Sequence, residues 1–165
     1  MIIDNYNIDT ESPIFIIAEL SANHNGNLET AIETVKAAKR AGADCIKLQT
    51  YTADTMTINS QNDDFIIQGT IWNGQNLYEL YQEAYTPWEW HAEIMSVAKE
   101  EGLICFSTPF DSSAVDFLEN LNVPAYKIAS FEITDIPLIE YVASKGKPII
   151  ISTGIAKNED IELAL

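Results

Sequence analysis

Apolar residues along this chain follow two alternating rhythms. Short runs rich in β-branched residues occur at Ile14–Leu20 (IFIIAEL), Cys45–Thr50 (CIKLQT), Leu103–Thr108 (LICFST), Ala125–Ser130 (AYKIAS) and Pro148–Thr153 (PIIIST). Runs of that length bounded by turn residues predict strands. Between them apolar residues recur at helical spacing. Leu28, Ala31, Ile32, Val35 and Ala38 form one stripe of a helix over 28–41, ended by Gly42. Thr86 as N-cap and Pro87 in the first turn open a helix over 87–101, which Gly102 closes. Further helices are predicted over 111–121, 136–144 and 158–165. Strands alternating with helices predict an α/β fold with about five parallel strands.

One segment breaks the rhythm. Residues 51–85 separate the second strand from the next long helix, and they are rich in Tyr, Trp and Asn (IWNGQNLYELYQEAY). Connections of that length are usually functional or disordered. The aromatic content argues for an ordered excursion over a site, with a short helix near 77–83.

Alternation within each strand sorts side chains into two faces. Cys45, Lys47 and Gln49 share a face, opposite Ile46 and Leu48; Ala125, Lys127 and Ala129 share one, opposite Tyr126 and Ile128. Both lysines therefore lie on the face with the smaller neighbours, which points inward in a closed barrel. A buried ammonium without a partner is costly. Either acids such as Glu19 and Glu132 neutralise the amines, or a bound anion does. Polar residues gather at the C-terminal strand ends: Glu19 and Ser21, Lys47 and Gln49, Ser107 and Thr108, Lys127 and Ser130, Ser152 and Thr153. Parallel α/β folds bind ligands at that edge. Hydroxyls of Thr108, Ser130 and Ser152 at the same rim favour a phosphorylated or carboxylated ligand. A Schiff base on Lys127, with its amine made nucleophilic by burial, is a second possibility.

Composition narrows this picture. The 165 residues suggest about one domain, and 47% apolar content supports a core and excludes the disordered class. Twenty-five acids against nine bases give a net charge of −16, which excludes general nucleic-acid binding; a local pair of lysines can still hold a small anion. Cys45 and Cys105 lie in apolar runs and read as buried reduced thiols, without zinc spacing. His24, in SANHNG, belongs either to turn chemistry or to the site; His91 reads as a helix packing or surface histidine. The two make no metal pair. The first residues, MIIDNYNIDTESP, do not form a signal peptide, and no apolar run approaches the ~20 residues a membrane span needs. The expected address is the cytoplasm, with no membrane or nucleic-acid partner.

Five stretches together, FIIAELSANHNG, AGADCIKLQTY, FSTPFD, PAYKIASFE and KPIIISTG, resemble the sialic acid synthase family, in that family's order. The stretch LYELYQEAYTPWEWH resembles the branch that makes pseudaminic acid more than the neuraminic or legionaminic branches. The resemblance implies a TIM (β/α)8 barrel, here incomplete, with residues 1–165 as its N-terminal portion. The remaining strands and a C-terminal antifreeze-like domain lie outside these residues. It implies condensation of phosphoenolpyruvate with 2,4-diacetamido-2,4,6-trideoxy-altrose, giving a nonulosonic acid and phosphate. It further implies substrate contacts from Lys47, Gln49, Thr108, Lys127, Ser130 and Ser152, and catalytic roles for Glu19 and Glu132. A divalent manganese or magnesium ion is expected for the whole enzyme, with histidine ligands that are not among these residues. A homodimer is expected as well. The alternatives are an N-acetylneuraminate or legionaminate synthase, another barrel aldolase, or a non-catalytic module.

Overall fold

Residues 2–7 fold back on themselves before the main sheet begins. Strands β1 (Ile2–Ile3) and β2 (Tyr6–Asn7) pair antiparallel around Asp4, whose φ is 52°. Five parallel strands follow: β3 (Ile17–Ser21), β4 (Cys45–Thr50), β5 (Ile104–Pro109), β6 (Tyr126–Ile128) and β7 (Ile149–Ile151). Their spatial order is their sequence order. The connecting helices are α1 (Leu28–Arg40), α2 (Ala53–Met56), α3 (Leu77–Ala84), α4 (Trp88–Glu100), α5 (Ser112–Asn120), α6 (Ile136–Ala143) and α7 (Asn158–Ala164). Consecutive parallel order with helical crossovers is the arrangement of a TIM-type barrel wall. The computed structural model describes all 165 residues.

The sheet separates two apolar layers, as strand alternation requires. On the outer side Ile46 and Leu48 pack with Val35 of α1 and Ile94 and Ala98 of α4. Tyr126 and Ile128 pack with Val115 and Leu118 of α5 and Ile139 and Val142 of α6. On the inner side Cys45, Phe106 and Ala125 close over Ile3, so the small N-terminal hairpin plugs the concave face. Lys47 and Lys127 share that inner face, above this plug.

Local chemistry fixes the helix starts. Asn27, Asn76, Asp111 and Asp135 each accept backbone N–H groups at the head of a helix. Thr86 does not cap the next helix. It is fully buried, and Pro87 occupies the position before Trp88. The first strand starts at Ile17, not Ile14, because Ile16 N–H bonds the Asp44 carboxylate at 2.8 Å and leaves Ile14 and Ile16 exposed. β6 ends at Ile128, and Ser130–Glu132 form a 3-10 turn instead of extending it.

Within the sheet β3 and β7 each have one neighbour. Open strands carry unpaired N–H and C=O groups. The 165-residue chain is therefore expected to self-associate with increasing concentration. Sedimentation velocity checks this; a single compact monomer at all concentrations would contradict it.

Candidate active site

The inner face of the sheet sets the site's plan. The β4 register opposes Glu19 to Lys47 on one side and Lys47 to Phe106 on the other; Gln49 lies beside Thr108. Lys47 is almost wholly buried. Its Nζ meets Glu19 Oε2 at 3.3 Å and Thr108 Oγ1 at 3.5 Å. The Glu19 side chain is 60% exposed, so this pair opens to solvent on its carboxylate side. Lys127 stands two strands away, about 10 Å at ordinary strand spacing. It takes part in none of the chain's four ion pairs. Burial lowers its pKa, and the neighbouring Lys47 ammonium lowers it further, against the pull of Glu19 and Glu132. The two amines thus feel each other across β5, the strand that carries Thr108.

Glu132 lies in the turn after β6. Its Oε2 is buried without a hydrogen-bond partner. Burial pushes its pKa up to about 7, against the opposing pull of its own backbone N–H and of Lys127. It therefore holds or releases a proton near neutrality, which suits general acid–base work. Burial raises the pKa of Tyr81 in the excursion, and the Glu132 charge raises it further. A folded pKa above the ordinary 4.5 means the associated stability is full below pH 4.5 and is lost as pH rises through about 7. Glu132→Gln is expected to raise the melting temperature by a few degrees at pH 8 and leave it unchanged at pH 5. Melting curves at the two pH values test this; equal shifts at both would contradict it.

Ser130 and Ser152 are half-buried at the same edge. Ser152 N–H donates to Ile128 O at 3.0 Å, and a Cβ on Gly154 would stand 3.9 Å from that of Ser130. Backbone geometry therefore brings β6 and β7 together there, though neither hydroxyl bonds a lysine. Ser107 is different. It points outward, and a buried chain runs from it toward α4. The Ser107 hydroxyl lies 2.7 Å from Thr50 Oγ1, which lies 2.9 Å from His91 Nε2, while His91 Nδ1 lies 3.2 Å from Pro87 O. A carbonyl can only accept, so Nδ1 carries the proton and Nε2 accepts from Thr50. His91 is thus a buried strut between sheet and α4.

A cavity of about 480 Å³ lies at the ends of β3 and β4; of the strand-end residues singled out from the sequence only Ser21 and Gln49 line it, and neither lysine does. Gln49 and Tyr51 of the β4 end, Ser21 and Asn25 of the β3–α1 loop, and Trp72 and Tyr81 of the long excursion line it. Tyr51 packs edge-on against Tyr81 and against Phe110. Strand-end reasoning missed this wall; the aromatic content of 51–85 was its one signal. His24 does not face the cavity. It is buried in its turn and accepts from Gly26 N–H through Nδ1 at 3.2 Å. Both cysteines have pKa values raised by burial, Cys105 to about 12.

No group of three or more His, Cys, Asp or Glu converges as a donor set. Both histidines are committed to protein partners. These residues do not fit a divalent metal, and we assign no step to one. No helix is long and apolar enough to cross a membrane.

Fold and site together define an α/β protein of TIM-barrel type with two lysines on the inner face of its sheet. The chain belongs to the NeuB family, whose model matches residues 34–165. It is 53% identical over 155 residues to the pseudaminic acid synthase of Campylobacter jejuni subsp. jejuni serotype O:2, covering 94% of this chain and 45% of that protein. It is 56% identical over 153 residues to the pseudaminic acid synthase of Helicobacter pylori, covering 93% and 45%. Identity to the N,N'-diacetyllegionaminic acid synthase of Legionella pneumophila is 38%, covering 92% and 42%. The chain spans less than half the length of these relatives. Among solved structures, the N-acetylneuraminic acid synthetase of Leptospira borgpetersenii in complex with citrate superposes with a TM-score of 0.85 at 29% identity, covering 99% of this chain and 53% of that one.

Proposed function

We propose that residues 1–165 form the N-terminal portion of a pseudaminic acid synthase barrel, the part that seats phosphoenolpyruvate. The observation that carries this reading is the pairing of Lys47 and Lys127 on one inner face, with Thr108 between them. Phosphoenolpyruvate bears a carboxylate and a phosphate, and two ammonium groups two strands apart complement that spacing. The preference for the pseudaminic branch is supported by identities of 53% and 56% to its synthases against 38% to a legionaminic one.

The reaction then divides among these side chains. Lys47 and Lys127 hold the anion, and the hydroxyls of Thr108, Ser130 and Ser152 add donors at its ends. The aldehyde of a 2,4-diacetamido-2,4,6-trideoxy-altrose lies in the adjoining cavity, between Glu19 and Gln49 and the aromatic wall. Carbon 3 of phosphoenolpyruvate bonds to the aldehyde carbon, whose oxygen gains a proton. Water adds at carbon 2, and phosphate leaves by C–O cleavage. Glu132, with its proton affinity set near neutrality, takes the proton from that water. Homodimerisation of the longer protein and a cytoplasmic address belong to the same proposal.

Calorimetry of phosphoenolpyruvate with the 165-residue chain tests the seat. Saturable binding that falls steeply with salt is expected; no binding at any concentration would refute it and favour a non-catalytic module. A chain extended to the relatives' full length should then consume the altrose-type sugar faster than mannose-type amino sugars. One observation favours a second reading. The lowered pKa of Lys127, beside a second ammonium, also suits an imine-forming amine. Borohydride with pyruvate would then add a stable mass increment on Lys127; its absence excludes the imine.

A further inference from the structure

Two segments far apart in sequence bound the cavity. One is Ser21–Gly26 after β3; the other runs from Tyr51 to Ala84. The hydrogen bonds that join these walls pass through one residue. Thr86, just past the last cavity residue of α3, has Oγ1 3.2 Å from His24 Nε2 and donates to Ser21 O at 3.2 Å.

Proton positions in this chain are fixed by elimination. Gly26 N–H donates to His24 Nδ1, so Nδ1 is bare and Nε2 carries the ring proton. Nε2–H therefore donates to Thr86 Oγ1, and the Thr86 proton goes to the Ser21 carbonyl. Trp90 stands edge-on to the imidazole at 5.4 Å and holds its plane. His24 and Thr86 are 1% and 0% exposed, so neither meets the cavity contents. Ser21 does line the cavity, in a left-handed conformation with φ 50° that a non-glycine residue adopts only under constraint. Its Oγ lies 3.4 Å from Glu19 Oε2, and Glu19 meets Lys47.

We propose that His24 and Thr86 are positioning residues, a clasp that sets the separation of the two cavity walls and through it the affinity for the neutral, polyhydroxylated second substrate. Only the identity of the cavity's occupant rests on the proposed function. The clasp itself is a property of the two walls. Lys127 lies two strands beyond Lys47, and the clasp's one side-chain route to Lys47 runs through the exposed Glu19, so the anion seat should feel its loss less than the cavity does.

The test uses Thr86→Val, which keeps the shape and removes the hydroxyl, and Thr86→Ser, which restores it. Hydrogen exchange in Thr86→Val is expected to quicken about tenfold or more at residues 21–27 and at 77–85 together. Thr86→Ser should behave as the parent chain. Nitrogen NMR should find His24 in the Nε2–H tautomer. Binding of the diacetamido sugar should weaken about tenfold in Thr86→Val, with phosphoenolpyruvate affinity changed less than about twofold. Unchanged exchange in Thr86→Val, or an Nδ1–H tautomer, overturns the clasp. Equal loss of both ligands overturns its selective role. A parent chain that binds no phosphoenolpyruvate refutes the proposed function, yet coupled loosening of both walls would still support the clasp.

Discussion

Lys47→Met is expected to weaken phosphoenolpyruvate binding about 100-fold while leaving the fold intact. On the proposed seating, the variant removes a charge-assisted hydrogen bond from a nearly fully buried ammonium. Such bonds contribute about 1.5–3 kcal/mol, and every 1.4 kcal/mol is tenfold. The fold should survive because of an asymmetry in the ion pair. Lys47 is 5% exposed in its side chain, whereas Glu19 is 60% exposed. Removing the buried partner strands no buried charge, since water can solvate the carboxylate that remains. Methionine fills a similar volume and carries no desolvation cost, so stability without ligand should be equal or higher. Calorimetry and chemical denaturation on the same variant give both readouts. A large loss of stability with unchanged affinity would show that Lys47 serves the fold rather than a ligand.

Phe106→Ala is expected to cost about 3–5 kcal/mol, a large share of the about 5–15 kcal/mol that holds a typical domain together. Phe106 is fully buried and belongs to the small inner cluster with Ile3, Cys45 and Ala125. It is also the register neighbour of Lys47. Its loss opens a cavity beneath the amine, bordered by Ile3 of the N-terminal hairpin and by Phe15, Ile17 and Ile150. Binding of phosphoenolpyruvate should therefore weaken along with stability. Phe106→Leu, which keeps most of the volume, should lose less than half as much of each. Urea denaturation of the pair provides the check; a loss below about 1 kcal/mol for the alanine variant would mean that this inner layer is not packed.

The open sheet and the committed histidines place a limit on what these residues do alone. Two lysines on one inner face, a proton-holding carboxyl and a cavity are present, while a metal donor set is not. Binding measurements therefore probe this chain more directly than turnover does. The clasp at His24 and Thr86 is useful here, because hydrogen exchange reads it without catalysis.

The sequence alone determined the order and type of the main elements and the face on which each strand residue lies. Period-2 alternation and helix stripes are local properties, carried by each residue's own polarity, and Cys45–Thr50 and Leu28–Arg40 follow them closely. The inward placement of Lys47 and Lys127 was legible for the same reason. Tertiary structure decided what those side chains meet. Ser107, next to Thr108 in sequence, bonds Thr50 on the outer face and through it reaches His91, because a one-residue step reverses the face. Thr86 looked like a helix cap but became a buried link to Ser21, since a hydroxyl takes whichever acceptor packing brings near. The tautomers of His24 and His91 follow from near neighbours, Gly26 and Pro87, but the other ring nitrogens meet Thr86 and Thr50 from far along the chain, and the raised pKa of Glu132 comes first from burial. Hydrogen bonds and desolvation depend on distances of a few ångströms, and only the folded chain sets those.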